Sequence, residues 1–299
     1  MAMKDFTEKM LEDYNDVFAD IMNVYLFEGQ KVIREDSLSM DRTATVYRYR
    51  DELYQQDRDV AKFWSDENVT LSLLGIENQS TVDKDMPLRI MGYDGASYRS
   101  QLYLMKKKNG DYRRNRNPRY PVISLVLYFG ERPWKKPQRL SDTVNISPRL
   151  ANFTNDYRIN VMDVRRLPRE TVDKFTSDFR FVADYFWHLE NNKEYTGNKE
   201  QIDHLEELLN FFQYAADNPL FDFPRIDLQG ERRPRNMDDV FTLMIKRKAK
   251  AEAEVAENTA YNRLTKLFSI LLRENDVEAL DKLTKDPEYR EKLFKKYNI

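Results

Sequence analysis

Residues 57–101 read DRDVAKFWSDENVTLSLLGIENQSTVDKDMPLRIMGYDGASYRSQ, and the fold turns on this stretch. Asp59 opens DVAKFW, a short apolar-rich run that ends in the turn-like Ser65-Asp66-Glu67-Asn68. Val69 to Ile76 is a continuous apolar run interrupted by Thr70, Ser72 and Gly75, long enough for a buried strand. As a hairpin, the two runs bring Asp59 close to the Glu77 end. Side chains alternate along a strand, so Glu77 and Gln79 project from one face and Asn78 from the other. Two carboxylates and an amide at the ends of neighbouring strands make a hard oxygen site. Such a site suits Mg²⁺, which takes one or two carboxylates and keeps several waters. It favours metal-assisted phosphodiester hydrolysis, with the phosphate polarised and the attacking water acidified. The plainer alternative is that these acids meet solvent or pair with Arg58 or Arg89.

Beyond the hairpin, an ordered set of short motifs runs along the chain. It comprises Asn15-Asp16-Val17-Phe18, IENQS at 76–80, DMPLR at 85–89, Gly92-Tyr93, and YPVISLVLYFGERPW at 120–134. Together with Asp59 and Glu77-x-Gln79, this set resembles the recombination-promoting nuclease family, also labelled transposases, of the PD-(D/E)XK nuclease superfamily. The resemblance implies an α/β (α+β) fold, a restriction-endonuclease-like core with a mixed sheet flanked by helices. It also implies metal-dependent DNA endonuclease activity, Mg²⁺ as cofactor with Mn²⁺ able to substitute, DNA as partner, and a bacterial cytoplasmic setting. Carried over residue by residue, Asp59 and Glu77 are the metal-binding acids, and Gln79 takes the position of the usual Lys. A Lys there orients the water and stabilises negative charge, whereas a neutral Gln only hydrogen-bonds. That departure leaves either a related mechanism with weaker electrostatic help or a slow enzyme. Cutting both strands requires two sites, so a homodimer is expected.

Composition bounds the rest. The 299 residues are 33% charged, with a mean hydropathy of -0.78, yet the 41% that are hydrophobic suffice for a substantial core. Eight Gly and 11 Pro argue against low complexity. The absence of Cys excludes disulfides and thiolate metal sites, and two His (His188 and His204) make a His-rich zinc site implausible. The amino terminus MAMKDFTEKMLEDYND lacks an apolar signal core, and no stretch reaches membrane-spanning length. The expectation is therefore a cytoplasmic protein with no membrane partner.

The net charge of -2 hides local clustering. Lys106-Lys107-Lys108 and Arg113-Arg114-Asn115-Arg116 form the first basic cluster, a phosphate-contacting rim if it is not simply solvated. Smaller clusters occur at Arg132–Arg139, Arg232–Arg235 and Lys246–Lys250.

In chain order, residues 4–27 form an amphipathic helix closed by Gly29, with Asp13, Asp16 and Asp20 on its polar face. Asp16 belongs to the motif shared with the family and is a further metal-ligand candidate, the alternative being a solvated acidic face. Lys31–Met40 reads as a polar connection and residues 43–47 as a first strand. Asp85 caps a helix with Pro87 in its first turn, although Gly92 and Gly95 weaken its continuity. On that element Arg89, Arg99 and Gln101 either hold phosphate, buttress the acids or form structural ion pairs. Residues 120–130 and 157–164 are strands. Helices follow at 170–189 and 201–216, and His204 reads as a surface residue.

Asn218–Arg235 is a Pro- and Arg-rich connector. Beyond it lie a capped helix from Asn236, an Ala-rich charged run at 246–257, and short helical segments around 261–272, 277–283 and 287–297. The domain reading is a core at 1–190, an extension and connector at 191–235, and a helical carboxyl-terminal region at 236–299. Two other functions remain compatible with these residues. One is a non-catalytic nucleic-acid- or protein-binding module on a nuclease scaffold. The other is a defence or toxin nuclease acting on foreign DNA or on RNA.

Overall fold

The computed structural model describes residues 11–40, 45–49, 52–56, 58–66, 69–102, 118–195, 197–215, 234–274 and 276–299. The chain divides into two compact units, 1–238 and 239–299. In the first unit a helical Leu11-Glu12 and a turn at Asp13-Tyr14, which interrupts the helix expected at 4–27, precede helix α1 (Asn15–Phe27), then strands β1 (Leu38–Met40), β2 (Thr45–Tyr49), β3 (Glu52–Gln56), β4 (Val60–Asp66) and β5 (Val69–Gln79). Helix α2 (Met86–Ser100), strands β6 (Val122–Tyr128) and β7 (Asn160–Asp163), and helices α3 (Arg169–Val172), α4 (Phe179–Glu190) and α5 (Leu205–Ala215) follow. The main sheet runs β1-β4-β5-β6-β7. Its β1, β4 and β5 are antiparallel neighbours, whereas β5, β6 and β7 are parallel. This mixed open sheet with flanking helices is the α/β arrangement of a restriction-endonuclease-like core.

Local sequence explains most of these elements. In α1, Val17, Phe18, Ile21, Met22 and Val24 are buried at helical spacing. The chain leaves this helix through Glu28 and Gly29, both at positive φ, with the Gly29 N–H donating to the Asn23 carbonyl at 3.0 Å. Strands β5 and β6 are continuous apolar runs because both of their faces are covered. On the α2 side, Met86, Ile90 and Tyr93 pack with Val126, Tyr128, Trp134 and Ile159. The parallel β5–β6 register aligns Gln79 with Tyr128, so both strands end at one edge of the sheet.

Several expectations change. Part of the polar connection at 31–40 is the edge strand β1, paired to β4 through Leu38↔Trp64. The strand expected at 43–47 is β2, which joins β3 in a separate two-stranded ribbon. The β7 strand is shorter than the apolar run that announced it. Helix α2 continues through Gly92 and Gly95, and Asp85 occupies its N-cap position without a side-chain hydrogen bond. The helix expected at 170–189 is two helices. Asp20 reaches across from α1, and its carboxylate accepts the backbone N–H groups of Thr176 and Ser177, each at 2.8 Å. Those donors are thereby satisfied outside a helix, and the chain turns between α3 and α4.

The second unit contains most of helix α6 (Met237–Glu274), with α7 (Val277–Lys285) and α8 (Pro287–Tyr297). The segments read separately at 246–257 and 261–272 lie in this one 38-residue helix. Leu267, Leu271, Ala279, Leu283, Leu293 and Phe294 form the unit's core. The Asp276 and Asp286 carboxylates cap α7 and α8 by accepting the N–H groups of Ala279 and Tyr289.

Buried and half-buried tyrosines contribute to the alkaline limit of stability. Burial raises the pKa of Tyr25 and Tyr128, and that of Tyr157 and Tyr195 more strongly, Tyr157 also by its hydrogen bond to Asp94. Their folded forms hold the proton more tightly than the unfolded chain does, so this stabilisation is complete below about pH 10 and is lost above it. Lys62 opposes the trend, because burial lowers its pKa and its charge therefore costs stability until it deprotonates. The urea midpoint is expected to fall steeply above about pH 10, as followed by circular dichroism.

Candidate active site

The β4–β5 register pairs Val60 with Ile76, which sets Asp59 opposite Glu77 at the strand end. The Asp59 Oδ2 atom accepts the backbone N–H of Asn78 at 2.7 Å, fixing that carboxylate against β5. The two acids expected to act together are brought to adjacent positions. Gln79 lies on the Glu77 side, and its Nε2 donates to Glu77 Oε1 at 3.3 Å.

Glu77 is 3% exposed and is held by Arg89 from the first turns of α2. The same guanidinium donates to Asp83 Oδ2 at 2.8 Å. Burial disfavours charge on Arg89, but Glu77, Asp83 and Tyr93 outweigh it and raise its pKa. Arg89 is therefore a fixed positive charge between two carboxylates. This is the ion-pair alternative that the sequence left open for Glu77.

Next to Asp59, Arg58 turns under the sheet. Its Nε donates to Ser124 Oγ and its Nη1 to Ser97 Oγ, both at 2.9 Å, and its Nη2 to Asp94 Oδ1 at 2.5 Å. Ser124 and Tyr157 also donate to Asp94. Gly75 makes room for this arrangement, because a Cβ there would stand 2.3 Å from Arg58 Cδ. The network anchors the backbone immediately before Asp59.

The α1 side of the strand end carries a second polar group that sequence reasoning missed. Asn78 Nδ2 donates to Glu12 Oε2 at 2.6 Å, and Glu12 is fully buried. Lys62, also fully buried, donates to the Asp13 carbonyl and to Asn15 Oδ1 at 2.6 Å. The available signal was alternation, since Asn78 and Lys62 both occupy the face opposite Glu77. Asp16, the acid proposed from this helix, instead faces His204, with Oδ2 3.0 Å from Nε2. Tyr14 stacks on the same imidazole, its ring centroid 3.7 Å away.

The remaining candidates separate by position. Gln101 is spent on structure: its amide brackets Tyr120, donating to the carbonyl and accepting the N–H, each at 3.0 Å. Tyr120 precedes the start of β6, so Gln101 and the exposed Arg99 lie toward the sheet end remote from Glu77. The 15 residues of α2 span about 22 Å, which is the scale of that separation. Lys106, Lys107, Lys108, Arg113 and Arg114 lie outside the described residues.

The donor chemistry fits a hard divalent cation. Asp59 and Glu77 supply carboxylates from opposed positions at one strand end, whereas Asn78 points to the other face and is no part of this donor set. Among the described residues no group of three His, Asp or Glu is placed to enclose a metal. Mg²⁺ does not require such a cage, since two carboxylates and retained waters suffice. Arg89 already neutralises Glu77, so a cation at this position competes with the guanidinium.

Comparison with known proteins places this geometry in context. A family model described as "Putative transposase, YhgA-like" matches residues 65–217, just over half of the chain. The matched span includes Glu77, Gln79 and Arg89, and Asp59 stands just ahead of it. No curated protein and no solved structure matches significantly. No helix among the described residues is long and apolar enough to cross a membrane.

Proposed function

Because the chain belongs to the YhgA-like transposase family of the PD-(D/E)XK superfamily, we propose that it is a DNA nuclease using Mg²⁺ held by Asp59 and Glu77. The observation that carries this reading is the strand register that sets Asp59 against the Glu77 end. When bound, the cation supplies charge stabilisation at the phosphate and a water acidic enough to attack near neutral pH. The chain's own residues do the positioning. Asp59 is oriented by the Asn78 N–H and by the Arg58 anchor beside it. Gln79 hydrogen-bonds the attacking water through its amide and contributes no charge. Arg89 neutralises Glu77, and Asp83 is the partner that would retain the guanidinium if a cation took its place at Glu77. Mn²⁺ substitutes for Mg²⁺ at such oxygen donors. Two centres are needed to cut both strands of a duplex, which makes a homodimer part of the proposal.

The test is conversion of supercoiled plasmid to nicked or linear DNA with Mg²⁺, Mn²⁺ or EDTA. Cutting in the two metal arms alone supports the reading, and no cutting in any arm overturns it. The Arg89–Glu77 pair and the Gln at position 79 favour a second reading, a non-catalytic DNA-binding module on the same scaffold. That module binds DNA in the plasmid experiment but never nicks it, and its binding survives loss of Glu77.

Arg89 gives a prediction of its own. Arg89→Met leaves the Glu77 carboxylate, 3% exposed, without its guanidinium. The expected loss is about 2 kcal/mol, less than for a fully buried pair because a third of the arginine is solvated. Thermal unfolding in EDTA then shows a lowered midpoint. Added Mg²⁺ raises that midpoint more in the variant than in the wild type, because the competing cation is gone.

A further inference from the structure

Between β6 and β7 the chain makes a long excursion, residues 129–159, with a rigid base and an exposed tip. It leaves the sheet where Tyr128 aligns with Gln79, at the edge that carries Glu77. Trp134 and Ile159, at its two ends, sit in the cluster beneath α2. Leu140 N–H donates to the Tyr157 carbonyl at 2.9 Å and Ile159 N–H to the Gln138 carbonyl at 3.0 Å, closing the base. Thr143 Oγ1 donates to the Lys84 carbonyl at 2.9 Å, tying the excursion to the segment that follows Gln79. Beyond this base the tip presents Phe153 at 85% exposure and Leu150 at 58%.

The charge of this excursion departs from that of the chain. Residues 131–158 hold six Lys and Arg against three acids, whereas the whole chain has 49 against 51. Lys136 and Arg139 pair with Asp142 and Asp156. Among the described residues Arg132, Lys135 and Arg149 are exposed and carry no ion pair. An exposed aromatic ring with an uncommitted cation in the same tip and two more at its foot is the combination that holds single-stranded nucleic acid, where bases stack on rings and cations track the backbone. The excess of cations over acids in this excursion favours a polyanion over a protein partner.

We propose that this tip is a nucleic-acid contact, with Phe153 stacking on an unpaired base, Arg149 meeting the adjoining phosphate, and Lys135 and Arg132 at the foot of the excursion meeting phosphates farther along the same strand. The choice of substrate rests on the nuclease reading, since a strand engaged at Glu77 passes the edge from which the tip projects. The test does not depend on cleavage. The full chain in EDTA is titrated with an oligothymidylate longer than about 16 nucleotides, at low salt. A Phe153→Trp variant adds an indole at the tip, and its emission above that of the wild type reports stacking by quenching. Quenching is expected, together with roughly tenfold weaker binding by Phe153→Ala and a reduced salt dependence in Arg149→Ala.

At 85% exposure, Phe153 is expected to be replaceable without loss of folding, and unchanged melting of the variants would confirm it. An unquenched indole with unaltered Phe153→Ala affinity overturns the inference, as does quenching by anionic lipid vesicles but not by the oligonucleotide. Plasmid cutting without quenching removes the inference and leaves the nuclease reading standing. Quenching without cutting does the reverse.

Discussion

Glu77→Gln and Asp59→Asn are each expected to lower the plasmid-cutting rate by roughly 100- to 1,000-fold, about 3–4 kcal/mol of barrier. Both substitutions preserve side-chain size and remove only the charge that holds the cation. Folding should change little, because Arg89 keeps Asp83 as a partner when Glu77 is neutral. DNA binding in EDTA should also persist, since neither residue is placed to hold phosphate. Gln79→Lys is the informative companion, because it restores the charge the wider superfamily places there and should leave activity equal or higher. Cleavage rates and melting curves on the same preparations separate a catalytic loss from a folding loss. Equal cutting by wild type and by Glu77→Gln would remove Glu77 from the chemistry.

Arg58→Met is expected to destabilise the first unit by about 3–5 kcal/mol, because it leaves Asp94 buried without its cation. The arginine and aspartate side chains are 6% and 4% exposed, so solvent offers little compensation. Asp94→Leu should cost as much on its own, with the Arg58 guanidinium left without its carboxylate and the Ser124 and Tyr157 hydroxyls without their acceptor. In the double variant the two losses should not add, since an apolar pair of similar volume replaces the ions together. Gly75→Ala attacks the same network sterically by pressing a methyl group on the Arg58 side chain. Urea denaturation of the four proteins measures these terms. Because Arg58 precedes Asp59, any of these variants that still folds should also lose nuclease activity.

The parts of this fold that the sequence made legible are those decided locally. Strand alternation correctly set Glu77 and Gln79 apart from Asn78, because a period of two leaves no freedom once the strand is placed. The apolar runs of β5 and β6 announced strands covered on both faces, and the α1 pattern announced its buried side. The misreadings came from distant contacts. The break before α4 depends on a carboxylate 156 residues earlier in the chain. The residues allow an Arg89–Glu77 pair, but choosing it over the alternatives requires knowing how α2 returns from the end of β5. Glu12 was overlooked because its partner, Asn78, is visible only when α1 is docked on the sheet. The carboxyl-terminal segments merged into α6 because an Ala-rich charged run joins them as well in a helix as in a loop.

The central claim is that Asp59 and Glu77 together hold a divalent cation, and Mn²⁺ binding followed by electron paramagnetic resonance addresses it without requiring turnover. The loss of the free-ion signal on titration counts bound metal in wild type, Asp59→Asn and Glu77→Gln. The account predicts a site in the wild type that is lost in both variants and tightened in Arg89→Met. Unchanged Mn²⁺ binding in Asp59→Asn and Glu77→Gln would contradict it.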